Sequence, residues 1–83
     1  MRKNTKEQIA REALAYIFIQ VRREMELTQD QVAEGSRLSR QYISMIERQE
    51  RSPNFLTLVK LCHGLKIDLL DFMTLVVERI NRY

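Results

Sequence analysis

Only two glycines and one proline interrupt these 83 residues, so few positions break a helix or supply the turns that all-β folds need. No segment alternates apolar and polar residues for long, and apolar residues instead recur three and four apart among good helix formers. A single cysteine, Cys62, excludes an internal disulfide and a CxxC-type metal site. A single histidine, His63, excludes a multi-histidine one. The two are neighbours on a helix and point about 100° apart, which rules out a nucleophile and base dyad between them. There is no glycine-rich phosphate loop. The apolar run Ala13–Ile19 gives way to Gln20, Arg22 and Arg23, far short of the roughly 20 residues of a membrane span, and it lacks the small-residue cleavage pattern of a signal peptide. These absences point away from enzymes, membrane proteins and secreted proteins. They leave an expected all-α, cytoplasmic chain with no metal, cofactor, membrane partner or small-molecule ligand.

What is present is modest in charge and specific in placement. The net charge of +3 suits an anionic partner without indicating one. Its densest concentration is the amino-terminal stretch, where Arg2, Lys3, Lys6 and Arg11 face only Glu7. Either a solubilising tail or a nucleic-acid-contacting arm fits that stretch.

Five helices are expected along residues 1–83, with room for one domain and one core. Thr5 with Gln8, and Thr28 with Gln31, each form a capping box, opening a first helix to about Met25 and a short second one to about Glu34. Ser39 caps a third, to about Arg48, before the polar, helix-breaking segment Gln49–Pro53. Asn54 opens a fourth that carries Phe55, Leu58, Leu61 and Cys62 and fades around Gly64. Asp68 and Asp71 open a fifth, over 68–81, with Leu69, Phe72, Met73, Val76 and Ile80 on one face and Leu70 and Val77 beside it. That stripe is wider than a small core requires, so it is expected to serve as a dimerisation surface. Closing the chain's own core is the competing use, and Ala13, Tyr16 and Ile17 on the first helix offer an alternative dimer face.

The second and third helices, joined by a few residues between Thr28 and Glu47, have the layout of a helix-turn-helix. On the third, Gln41, Ser44, Met45 and Arg48 fall at i, i+3, i+4 and i+7 and form one outward stripe, while Ile43 and Ile46 point the opposite way. Such a helix packs on a scaffold and offers hydrogen bonds to base edges. Glu47 falls on the buried side, where a lone carboxylate is costly. Its best partner is Arg22, which borders the first helix's stripe of Leu14, Phe18, Val21 and Met25. The expected pair is a structural strut that orients the third helix.

The run LTQDQVAEGSRLSRQYISMIERQERSPNFLTLVKL, Leu27 to Leu61, resembles the Cro/CI-type helix-turn-helix family of repressors and regulators. With its flanks the likeness covers about Phe18 to Phe72. It implies a five-helix, lambda-repressor-like DNA-binding fold in which Gln29 touches the DNA backbone and Ala33 is the small residue where the two helices cross. Ser39, Arg40, Gln41, Ser44 and Met45 match positions that face the major groove, and Tyr42 one that often reaches a phosphate. The family's arginine and glutamate strut falls on Arg22 and Glu47. Arg40 and Gln41 are the expected main readers, because arginine suits guanine's O6/N7 pair and glutamine suits adenine's N6/N7 pair. Arg48 and Arg51 are candidate phosphate holders.

The chain departs from the family pattern at three bends. Glu26, Arg37 and Lys66 stand where relatives have Gly or Asn, and in the latter two cases a glycine sits two residues earlier, at Gly35 and Gly64. Left-handed backbone at each costs on the order of 1 kcal/mol, unless the turns are reshaped or dimer contacts compensate. The resemblance implies a transcription regulator acting as a homodimer on a two-fold double-stranded DNA operator, because one recognition helix reads only a few base pairs. Dimerisation would then couple activity to protein concentration. Restriction-modification controller proteins, autonomous repressors and antitoxins all have similar lengths. A protein-interaction module with the same fold is the rival reading, which Arg37, Arg40 and Arg48 around the stripe disfavour.

Overall fold

Five polar side chains open five helices. In the computed structural model, which describes residues 5–83, Thr5, Thr28, Ser39, Asn54 and Asp68 each stand in extended backbone and accept from the free amide three residues on. Thr5 with Gln8, and Thr28 with Gln31, close full capping boxes. The helices are α1 (Lys6–Glu24), α2 (Gln29–Ser36), α3 (Arg40–Glu47), α4 (Phe55–Leu65) and α5 (Leu69–Ile80), with no strand among the described residues. Arg2 and Lys3 of the basic amino-terminal stretch lie outside the described residues.

Four of the helices stop in the same way. After α1, α2, α3 and α4 the chain turns through Glu26, Arg37, Gln49 and Lys66, all at positive φ (58°, 61°, 64° and 62°). At each end the residue that follows bonds back across the last turn: Leu27 N–H to Arg22 O, Leu38 to Ala33, Glu50 to Met45 and Ile67 to Cys62, at 3.0, 3.1, 2.8 and 3.1 Å. These are Schellman closures, usually made with glycine. The left-handed bends are therefore kept, not reshaped. Leu27, Leu38 and Ile67 all pack on the core just after their bends, an apolar contact that helps to offset the local strain.

The two glycines, absent from the bends, serve the packing of α2 on α4. A Cβ on Gly64 would lie 2.7 Å from Val32 O and 2.9 Å from Ser36 N, and one on Gly35 would lie 3.1 Å from Gly64 Cα. Backbone meets backbone there, too closely for a side chain at Gly64 and tightly for one at Gly35. Ala33 is buried in the same region, and Ser36 turns its hydroxyl inward to donate to Ala33 O at 3.2 Å.

One core draws on all five helices, with Phe18, Val32, Ile43, Leu65 and Phe72 almost wholly covered. Here the expected dimerisation stripe needs correction. Phe72 and Val76 are 0% and 3% exposed and belong to the chain's own core, and Leu69, Met73 and Ile80 pack against it. The stripe closes the fold because α5 lies along α1. Ala13 and Ile17, the alternative face, are buried too, with only Tyr16 left half exposed. The outward apolar residues of α5 are instead Leu70, Leu75 and Val77, and those of α4 are Phe55, Leu56 and Val59.

Candidate nucleic-acid interface

The α2–α3 unit is fixed from below by a largely covered ion pair. Ile43 and Ile46 anchor α3 in the core, at 0% and 1% exposure, and helical geometry then carries Glu47 inward. Arg22 Nε donates to Glu47 Oε2 at 2.5 Å and Nη2 donates to Oε1 at 3.2 Å, with side chains 13% and 9% exposed. Arg22 Nη1 donates to Leu27 O at 2.9 Å, and Gln29 Nε2 donates to Glu47 Oε1 at 2.9 Å. One carboxylate thus ties the ends of α1, α2 and α3 together. No buried side-chain N or O among the described residues lacks a partner, as low-dielectric surroundings demand.

On the opposite side α3 presents its polar stripe. Gln41 is exposed at the first turn and Ser44 and Met45 are partly covered one turn on, with Arg48 exposed just past the end of the helix. Ser39 accepts from Tyr42 N–H at 3.0 Å, opening α3 towards solvent. Tyr42 itself is half-buried against the core. The expected reading residues Ser39, Arg40, Gln41, Ser44 and Met45 therefore lie along α3, the first three exposed and the last two partly covered, with Arg48 beyond them. Gln29 stands across from them at the start of α2, its side-chain amide held by Glu47.

Two carboxylates complete this surface, and spacing alone did not single them out. Arg40 Nε lies 3.4 Å from Asp30 Oδ1, joining the first turns of α2 and α3. Arg48 donates from Nε and Nη2 to the two oxygens of Glu50, each at 3.0 Å, and from Nη1 to Ser44 Oγ. That hydrogen bond from Arg48 holds the Glu50 carboxyl below the usual carboxylate range. Glu50 follows a bend whose left-handed residue, Gln49, carries no glycine signal. Asp30 meets Arg40 only because the two helix starts converge.

A shallow depression lined by Arg23, Thr28, Gln29, Asp30 and Arg40 borders the start of α2. The described residues include no group of three or more His, Cys, Asp or Glu side chains able to hold a metal. None of their helices is long and apolar enough to cross a membrane.

Comparison with known proteins places this geometry. The helix-turn-helix family pattern matches residues 19–72, close to the span the sequence resemblance covers. An uncharacterized HTH-type transcriptional regulator of Sinorhizobium fredii, y4dJ, is 39% identical over 57 residues, which is 69% of this chain and 74% of that protein. The restriction-modification controller protein C.Esp1396I superposes with a TM-score of 0.83 at 27% identity, covering 89% of this chain and 96% of its own. Its tetramer in complex with a natural 35 base-pair operator gives 0.82 at 28% identity, over 87% and 95% of the two chains. The clp gene regulator ClgR of Corynebacterium glutamicum gives 0.79 at 27% identity, over 88% and 78%.

Proposed function

We propose, from the premise that this chain belongs to the helix-turn-helix family of DNA-binding transcriptional regulators, that it works as a homodimer on a two-fold symmetric operator, in the manner of a restriction-modification controller. The observation that carries this reading is the outward stripe of α3, held in a single orientation by the Arg22–Glu47 strut. Arg40 and Gln41 read base edges, Arg40 on guanine and Gln41 on adenine, each good bidentate contact contributing roughly 1–3 kcal/mol of discrimination. Ser39 and Ser44 line the same approach, and Met45 lies against a thymine methyl. Gln29, Tyr42 and Arg48 hold phosphates and set register. The chain regulates by binding, not by catalysis, in the cytoplasm where the DNA is.

Dimerisation follows from the size of the code. A single recognition helix covers a few base pairs, so two copies must span half-sites roughly 34 Å apart. The apolar surface for this is the outward side of α4 and α5, which carry six of the nine large hydrophobic residues left exposed among the described residues. Leu70, at 73% exposure, and Val77 lie two turns apart on α5. The similar controller protein has been solved as a tetramer on its operator, and pairing of subunits fits that arrangement.

Sedimentation velocity at micromolar concentration tests the proposal. The parent chain should run as a dimer, and Leu70→Glu, which places a charge in the contact while leaving the core untouched, should run as a helical monomer with weakened operator binding. A parent chain that is monomeric both free and on DNA would refute the dimer, and a dimeric Leu70→Glu would refute this surface.

A further inference from the structure

The exposed arginines of the α3 surface are not free cations. Among the described residues there are three ion pairs, the Arg22–Glu47 strut and the pairs Arg40–Asp30 and Arg48–Glu50. Arg23, Arg37 and Arg51, which also lie in or near the helix-turn-helix, form none there. Pairing outside the strut thus falls on the two arginines assigned to DNA. The two pairs arise independently, one between the starts of α2 and α3 and the other across the bend after α3. All four side chains are more than half exposed, so the pairs add little to the stability of the fold. Their consequence falls on what the arginines can bind.

We infer that Asp30 and Glu50 are specificity-determining residues that suppress binding to random DNA by occupying Arg40 and Arg48 until an operator displaces or accommodates them. This rests on the assignment of those arginines to DNA above.

The two carboxylates act on different edges of the guanidinium. Asp30 makes its nearest approach to Arg40 at Nε, and a carboxylate on that side leaves the edge formed by the two terminal nitrogens to fork onto guanine. Glu50 takes Nε and Nη2 of Arg48 and Ser44 takes Nη1, so all three nitrogens of that guanidinium are already engaged before a phosphate arrives. Binding to random DNA is almost wholly electrostatic, each phosphate neutralised releasing counterions. An arginine whose charge is already paired with a carboxylate gains less from meeting a phosphate, and the carboxylate, well inside the screening length of about 8–10 Å, repels that phosphate. On the operator the base contacts fix the register, and Arg48 exchanges Glu50 for a phosphate at small cost.

Titration of the parent chain and Glu50→Gln against operator and random duplex across salt concentrations tests this. For random DNA, Glu50→Gln should bind about fivefold more tightly near 0.15 M salt and steepen the log–log salt slope by about 0.9, the value of one further phosphate. The operator slope should not change, since Arg48 is already on a phosphate there. Glu50→Asp should restore the parent behaviour on random DNA. Asp30→Asn should likewise tighten random binding, and it should weaken discrimination at the base pair read by Arg40. If Glu50→Gln leaves the random-DNA slope unchanged, or changes both slopes alike, the inference is wrong while the proposed function stands. If the parent chain does not distinguish operator from random duplex, it is the proposed function that fails.

Discussion

Glu47 is a carboxylate on the wrong side of an amphipathic helix, and its three hydrogen bonds explain how it stays there. Glu47→Ala would leave the Arg22 guanidinium covered and unpaired, and it should cost about 3 kcal/mol in chemical denaturation. Arg37 presents the opposite case, a residue strained in backbone whose side chain is exposed. Its φ of 61° suits glycine, so Arg37→Gly should gain about 1 kcal/mol and raise Tm by roughly 4–8 °C for a chain of this size. An unchanged or lower Tm would mean that the Schellman contacts already remove the strain. Cys62 adds a pH dependence. Burial first, and the charge of Asp68 second, push its thiol up to about 11. The thiol therefore ionises more readily in the unfolded chain, whose pKa is near 9.0. Its contribution to stability is complete below that value and is lost as pH rises towards about 11. Denaturation midpoints should fall across that window, and Cys62→Ser should flatten the fall.

Helix starts were legible in the chain because a cap is local: Thr, Ser, Asn and Asp at the right offset satisfy amides within one turn. The strut was legible for a related reason, since periodicity alone sends Glu47 inward and burial demands a cation. Helix contacts were less so. Gly35 and Gly64 stand where two helices touch through their backbones, a relation between segments 29 residues apart that no local pattern encodes. Gly64→Ala should therefore destabilise by roughly 1–3 kcal/mol, despite alanine's better helix propensity, because the added carbon meets backbone atoms of α2. An alanine variant as stable as the parent would show that α2 and α4 can separate without loss. Which face of α5 closes the core was misjudged for a comparable reason. Its stripe of Leu69, Phe72, Met73, Val76 and Ile80 has the width of an interface, but α1 and α4 cover it within the same chain. Asp30 and Glu50 escaped notice because their partners are set by converging helix starts and by a left-handed bend.

Among the described residues, a polar surface lies on the α2–α3 unit and the exposed apolar side chains lie mainly on α4 and α5. On the proposed function, that division would let one chain hold DNA and a second copy at once, the arrangement a two-fold operator needs. The most direct test is to select bound sequences from a random double-stranded DNA library and titrate the selected site at two salt concentrations. A two-fold motif with half-sites about one helical turn apart, bound with an affinity that falls steeply with salt, is the predicted result. A library that yields no enriched motif would contradict the account at its centre, leaving the five helices and the strut in place without the DNA reading assigned to them.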